Sequence, residues 1–134
     1  MEDSKKELAR NHYKRALQGL EQSNQIFYSG KHRAAVNSSY YAVYDGMRAI
    51  HALDDDVGSD NCDDIVSSFN RLHIIGEWFE VPACQIIRNT VSIIKCGVPD
   101  NSPEVSRPEA MTQLIMSAQF ISYIKVYLIN HFIL

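Results

Sequence analysis

The sequence predicts an all-α protein, an up-and-down four-helix bundle with one additional short helix. Three observations carry the prediction. Apolar residues recur at three- and four-residue spacing in every long segment, and none shows two-residue alternation. Helix-starting pairs and helix-stopping glycines stand between those segments. The chain has 134 residues, 46% of them apolar and 22% charged, which suits one globular domain over residues 1–134 without a metal or disulfide framework.

The first helix is expected over 4–29. Ser4 and Glu7 have capping-box spacing, and Leu8, Ala16, Leu17, Leu20 and Phe27 make its apolar stripe. Gly30 is the expected stop, because glycine enters the left-handed region without steric cost. The second helix, over 31–53, has apolar residues round more than half its circumference, as a central helix does. Ala34, Ala35, Ser38, Ser39 and Ala42 are small enough to let neighbours approach closely.

Residues 54–58 form a loop, followed by an expected N-cap at Asp60, with Asp63 and Asp64 in the first helical turn. The short third helix uses Ile65, Val66, Phe69 and Leu72, and ends near Gly76; Trp78 and Phe79 anchor the connection after it. Pro82 suits the first turn of a fourth helix with a stripe of Ile86, Ile87, Val91 and Ile94. After a Gly- and Pro-rich loop, Ser106 and Glu109 form a second capping box, with Pro108 just inside. The long fifth helix then runs through Leu114, Ile115, Ala118, Ile121, Ile124, Leu128 and Ile129.

The net charge of −3 argues against indiscriminate nucleic-acid binding. Residues 1–33 hold seven Lys/Arg against four Asp/Glu, and 54–64 hold six Asp. The basic segment reads as a solvated helix face, with an RNA strip as the alternative. The acidic run lacks the glycine and terminal glutamate of a calcium loop. His12, His32, His51, His73 and His131 have no ligand spacing within one helix, so no metal and no cofactor is expected. Cys62, Cys84 and Cys96 are odd in number and widely spaced, a pattern of reduced thiols in a cytoplasmic protein. Met1–Arg15 is polar, so no signal peptide is expected. The stretch 120–134 has eleven apolar residues in fifteen, but it is interrupted by Lys125, Asn130 and His131. It is too short for a membrane span and is expected to be a core helix with more than one apolar face.

Residues 30–50 open with Gly30-Lys31-His32-Arg33 and continue with Ala35, Asn37, Tyr40, Tyr41 and Ala42 in an A-x-N-x-x-Y-Y-A order. This segment resembles the signature of small prokaryotic proteins of the HEPN superfamily. The preceding helix and the run Ile65–Asn70 are similar to that family as well. The resemblance implies a helical bundle that commonly forms a homodimer, either an RNA-cleaving toxin or the partner of a minimal nucleotidyltransferase in a toxin–antitoxin-type module. It also implies, in active members, an R-x(4–6)-H motif whose His moves protons at the ribose 2′-hydroxyl while Arg stabilises phosphate charge. Arg88-Asn89 opens that motif here, but Ile93, Ile94 and Lys95 stand where the histidine belongs.

The expected function is therefore a non-catalytic HEPN-like interaction protein that self-associates and pairs with a nucleotidyltransferase. The alternatives are a divergent metal-independent endoribonuclease, with Arg88, Lys95 and His73 as weak catalytic candidates, and a nucleotide-binding module. Asn37, Tyr40, Tyr41, Arg48 and Arg88 are the candidate nucleotide- or RNA-binding residues. Each also has a structural reading. Asn37 can bond backbone, the tyrosines can pack in the core, and Arg48 can pair with Asp45 three residues before it.

Overall fold

The computed structural model describes residues 2–54, 59, 61–72, 81–98 and 103–134. Among them are five helices and no strand: α1 (Glu2–Tyr28), α2 (His32–His51), α3 (Cys62–Leu72), α4 (Val81–Cys96) and α5 (Arg107–Asn130). The expectations at Asp60, His73, Gly76, Trp78 and Phe79 lie outside the described residues. Helix α1 starts two residues before Ser4, so Ser4 lies inside the helix and does not cap it.

Gly30 ends α1 at φ 90°. Its N–H donates to the Phe27 carbonyl at 3.0 Å, and the Lys31 N–H donates to that of Ile26 at 3.3 Å. Both bonds satisfy carbonyls that the helix end would otherwise leave open. The chain then folds α2 back along α1. The fit is close. A Cβ on Gly19 would stand 2.9 Å from the Ala42 Cβ and 3.3 Å from its Cα. Ser23 Oγ donates to Ser38 Oγ at 3.0 Å across the same contact. On another face of α2, Ser39 and Ser117 of α5 share a buried hydrogen bond of 3.0 Å. The small residues of α2 thus act as expected, except Ala34, which is exposed.

Helix α2 touches each of the other four helices. Its Val43, Met47 and Ile50 meet Ile65 and Phe69 of α3 and Phe120, Ile121, Ile124 and Leu128 of α5 in the main core. The rings of Phe69 and Phe120 stack at 5.3 Å. A second cluster of Phe27, Ala35, Val36, Tyr40, Ala110 and Leu114 closes the end where α1 meets the start of α5.

A buried polar chain fastens α3 to α2. Ser68 Oγ donates to Asp54 Oδ2 at 2.6 Å. The same oxygen lies 2.7 Å from His51 Nδ1, and His51 Nε2 lies 2.8 Å from the Ser59 carbonyl. A carbonyl only accepts, so Nε2 carries a proton. Serine, histidine and aspartate are together here, but the serine stands between the other two and all three are buried. A nucleophilic triad needs the histidine in the middle and the hydroxyl in reach of substrate. This cluster is structural.

Two capping expectations differ in detail. Asn61 Oδ1 accepts from the Asp64 N–H at 2.9 Å at the start of α3. Ser106 Oγ accepts from the Glu109 N–H at 3.2 Å, which is the serine half of the expected box. Helix α5 ends with the Phe132 N–H on the Ile129 carbonyl and the Ile133 N–H on that of Leu128. That pattern puts Phe132 in the left-handed region, at φ 60°, with its ring 85% exposed. A side chain there costs about 1–2 kcal/mol, and this ring recovers little by packing. Phe132→Gly should therefore stabilise the protein by about 1 kcal/mol, read as a higher urea midpoint; an unchanged or lower midpoint contradicts the strain.

Two stripe expectations hold in part: Ala16 and Phe27 of α1 and Leu114, Ile121, Ile124 and Leu128 of α5 are buried. Ile115 and Ile129 of α5 are exposed, as are Leu8 and Leu17 of α1. No helix among the described residues is long and apolar enough to cross a membrane.

Candidate functional site

Residues three, four and seven apart share a helix face. On α2 this puts Arg33, Asn37 and Tyr40 in one row. Arg33 and Tyr40, with Val36 beside them, line a cleft of about 470 Å³ whose other walls are Asn89 of α4 and Val105, Pro108, Glu109, Thr112 and Gln113 around the start of α5. A bay of about 210 Å³ continues it past Asn37 towards Ser92 and Ile93 of α4.

A chain of five side chains crosses this site. Arg88 Nη2 donates to Gln85 Oε1 at 2.8 Å, and Gln85 Nε2 donates to Asn89 Oδ1 at 3.0 Å. Asn89 Nδ2 donates to the Tyr40 hydroxyl at 3.2 Å, and that hydroxyl donates to Gln113 Oε1 at 3.0 Å. A guanidinium has no acceptor, so Arg88 at the head sets the direction of every later bond. The chain ties α4, α2 and α5 together and turns the Gln113 amide nitrogen away from Tyr40. Burial pushes the Tyr40 phenol above its usual range, opposed by the Asn89 bond and the Arg33 charge. Such a hydroxyl is a hydrogen-bonding group at neutral pH and a poor proton acceptor.

Arg33 has a second task. Its backbone N–H donates to Glu104 Oε1 at 2.6 Å, and its Nε donates to the Pro103 carbonyl at 3.0 Å. Lys31, the N-cap of α2, makes no side-chain cap. Glu104 therefore supplies the missing acceptor from 71 residues away. The Arg33 and Val105 backbone N–H groups hold its carboxyl below the usual 4.5, with His32 and Arg33 charges adding to this. A depressed folded value stabilises above the unfolded one and is lost as pH falls through the folded one. The melting temperature of Glu104→Gln should thus lie below that of the parent above pH 4.5 and converge with it in stronger acid. A gap that does not shrink as pH falls below 4.5 contradicts this.

The other sequence candidates scatter. Tyr41 lies one residue, or about 100°, round α2 from Tyr40. It is exposed beside Arg15, Gln18 and Asp45 in a separate shallow bay. Arg48 lies 3.8 Å from Asp45, the expected ion pair, and its guanidinium sits over the Tyr44 ring at 6.0 Å. The Asp45 carboxyl is pushed up by burial, against the pull of Arg48 and Arg15. Lys95 shares the exposed side of α4 with Arg88, but its ammonium is paired with Asp63 of α3. His73 lies outside the described residues. Among the described residues no group of three or more His, Cys, Asp or Glu is placed to hold a metal.

Sequence reasoning missed Arg33, Gln85, Asn89, Glu104 and Gln113. The spacing of Arg33 from Asn37 and Tyr40 could have found the first. Gln113 has no local signal, because it arrives from 73 residues away. Comparison of the chain with protein-family models, with curated proteins and with solved structures finds no match.

Proposed function

We propose that this chain is a HEPN-like helical protein that acts by association. Helices α1, α2, α4 and α5 read as the four bundle helices, and α3 as the short addition. The protein pairs with itself, and its polar cleft serves a partner; a minimal nucleotidyltransferase is the one the family resemblance suggests. Among the described residues Cys62 and Cys96 are free thiols, which suits a reducing cytoplasm.

One observation carries this reading. Helix α5 buries one apolar face in the core and exposes Met111, Ile115, Val126 and Ile129 on another. A helix that serves only its own core keeps charged and polar residues on its solvent side. Light scattering at micromolar concentration should give twice the chain mass of 15.2 kDa. A monomer overturns the reading.

A second reading, nucleotide or RNA binding, is favoured by Arg33, Tyr40 and Asn89 lining one cleft, with Asn37 in the bay that continues it and Arg88 bonded to Asn89 through Gln85. A nucleotide-dependent rise in melting temperature, lost in Arg33→Ala, would support it. RNA cleavage by the purified protein that Arg88→Ala abolishes would replace both with the divergent ribonuclease. The cleft offers that reading hydrogen-bond donors, but its phenol is a poor base.

A further inference from the structure

We infer that a second copy of this chain covers α5, in an antiparallel pairing about a two-fold axis near residue 120 that leaves the two Arg88 side chains on opposite outer sides. This rests on the self-association reading above and gives it a geometry.

The strip is built symmetrically. From Met111 to Ile129 is 18 residues, five full turns, so both ends lie in line. Between them run Ile115, Ala118, Ser122 and Val126 on the same side. Large residues stand at both ends and small ones at the middle. Reversing the helix about residue 120 places Met111 on Ile129 and Ala118 on Ser122, and brings Ile115 within one residue's rise, about 1.5 Å, of Val126. The bulky pairs then meet at the ends, and the backbones approach most closely where the side chains are smallest. Ser122 Oγ donates to the Ala118 carbonyl of its own helix at 3.0 Å. Its hydroxyl therefore needs no new partner at a dry crossing. Lys125 borders the strip, where its methylene stem can lie along apolar surface and its ammonium in water.

Helix α1 widens the face. It runs antiparallel to α5, since Arg10 reaches the Ile133 carbonyl at 3.3 Å and Arg107 sits 5.0 Å over the Phe27 ring. Leu17 is two turns from Arg10 on the same flank, and 44% of it is exposed. Tyr28, three turns further along that flank, is 76% exposed. With the large strip residues, these expose roughly 600 Å² per copy, so a pair buries on the order of 1,200 Å², the lower bound of stable interfaces.

The pairing also places the cleft. Gln113 is about 200° round α5 from Met111, and through Tyr40 it is bonded towards α2 and α4. The Arg88 wall is thus turned away from the strip. The family resemblance implies the reverse, with paired motifs meeting across the dimer. Here each cleft stays open and separate.

Charge reversal tests the register. Ile115 and Val126 are 52% and 43% exposed, so Ile115→Glu and Val126→Lys should fold, as circular dichroism will show. Each alone should weaken association by roughly 30-fold or more and give monomers by light scattering. Together they should restore the dimer, because each Glu then faces a Lys of the other copy twice over. They cannot pair within one chain, being about 16 Å apart along the helix. If the single variants remain dimers, the interface is elsewhere and only this inference fails. If they are monomers and the double variant is too, the antiparallel register is wrong. A monomeric parent protein removes the self-association reading as well.

Discussion

Replacing Asp54 by alanine should destabilise the protein by about 3–5 kcal/mol, the cost of breaking a buried charged network from one end. Asp54 and Ser68 are each 2% exposed, so water does not replace what is removed. Without the carboxylate, the Ser68 hydroxyl loses its acceptor, and the Ser68–His51 hydrogen bond loses the group that orients it. The remaining polar groups keep their desolvation cost. Ser68→Ala cuts the same chain at its middle. The two losses should therefore be strongly non-additive, with Ser68→Ala adding little once Asp54 is gone. Urea denaturation of the two single variants and the double variant closes that cycle. Additive losses would mean that the three side chains do not act as one unit.

Phe120→Ala should cost about 3–5 kcal/mol as well, through lost burial and the cavity left against Phe69. Phe120 is 1% exposed. An exposed residue of the same helix makes the control: Ile115→Ala should change monomer stability by no more than about 0.5 kcal/mol. The effect should reach the cleft. Phe120 and Gln113 are seven residues apart on one face of α5, so the packing of Phe120 sets the rotation that brings Gln113 to Tyr40. Phe120→Ala should therefore loosen the Tyr40 hydroxyl bond, seen as a lower Tyr40 titration midpoint as water enters. An unchanged midpoint would show that α5 is held in rotation by other contacts.

The helices were legible because their signals are local. Gly30 and the pair Ser106–Glu109 mark helix ends through backbone sterics and hydrogen bonds within a few residues. The row Arg33, Asn37 and Tyr40 follows from helical spacing alone, although only two of the three stood out as candidates. Helix α5 misled in a specific way. It is apolar nearly all round, so periodicity could not say which isoleucines face the core, and Ile115 and Ile129 were placed inside. The capping of α2 by Glu104 was equally hidden, since nothing near Lys31 shows that its acceptor comes from beyond α4.

What the sequence determined by itself is the all-helical class, the end of α1 at Gly30, the start of α5 at Ser106 and the absence of a histidine five to seven residues after Arg88. Each is a property of neighbouring residues, and local sterics and covalent spacing are enough to decide it. The tertiary structure decided which candidates meet. It joined Arg88 to Tyr40 through Gln85 and Asn89, set Asn37 in the adjoining bay, sent Tyr41 and Arg48 elsewhere, and paired Lys95 with Asp63. It also decided which face of α5 is left exposed. Those choices depend on how helices far apart in the chain rotate against one another, and that rotation is set by packing a shared core.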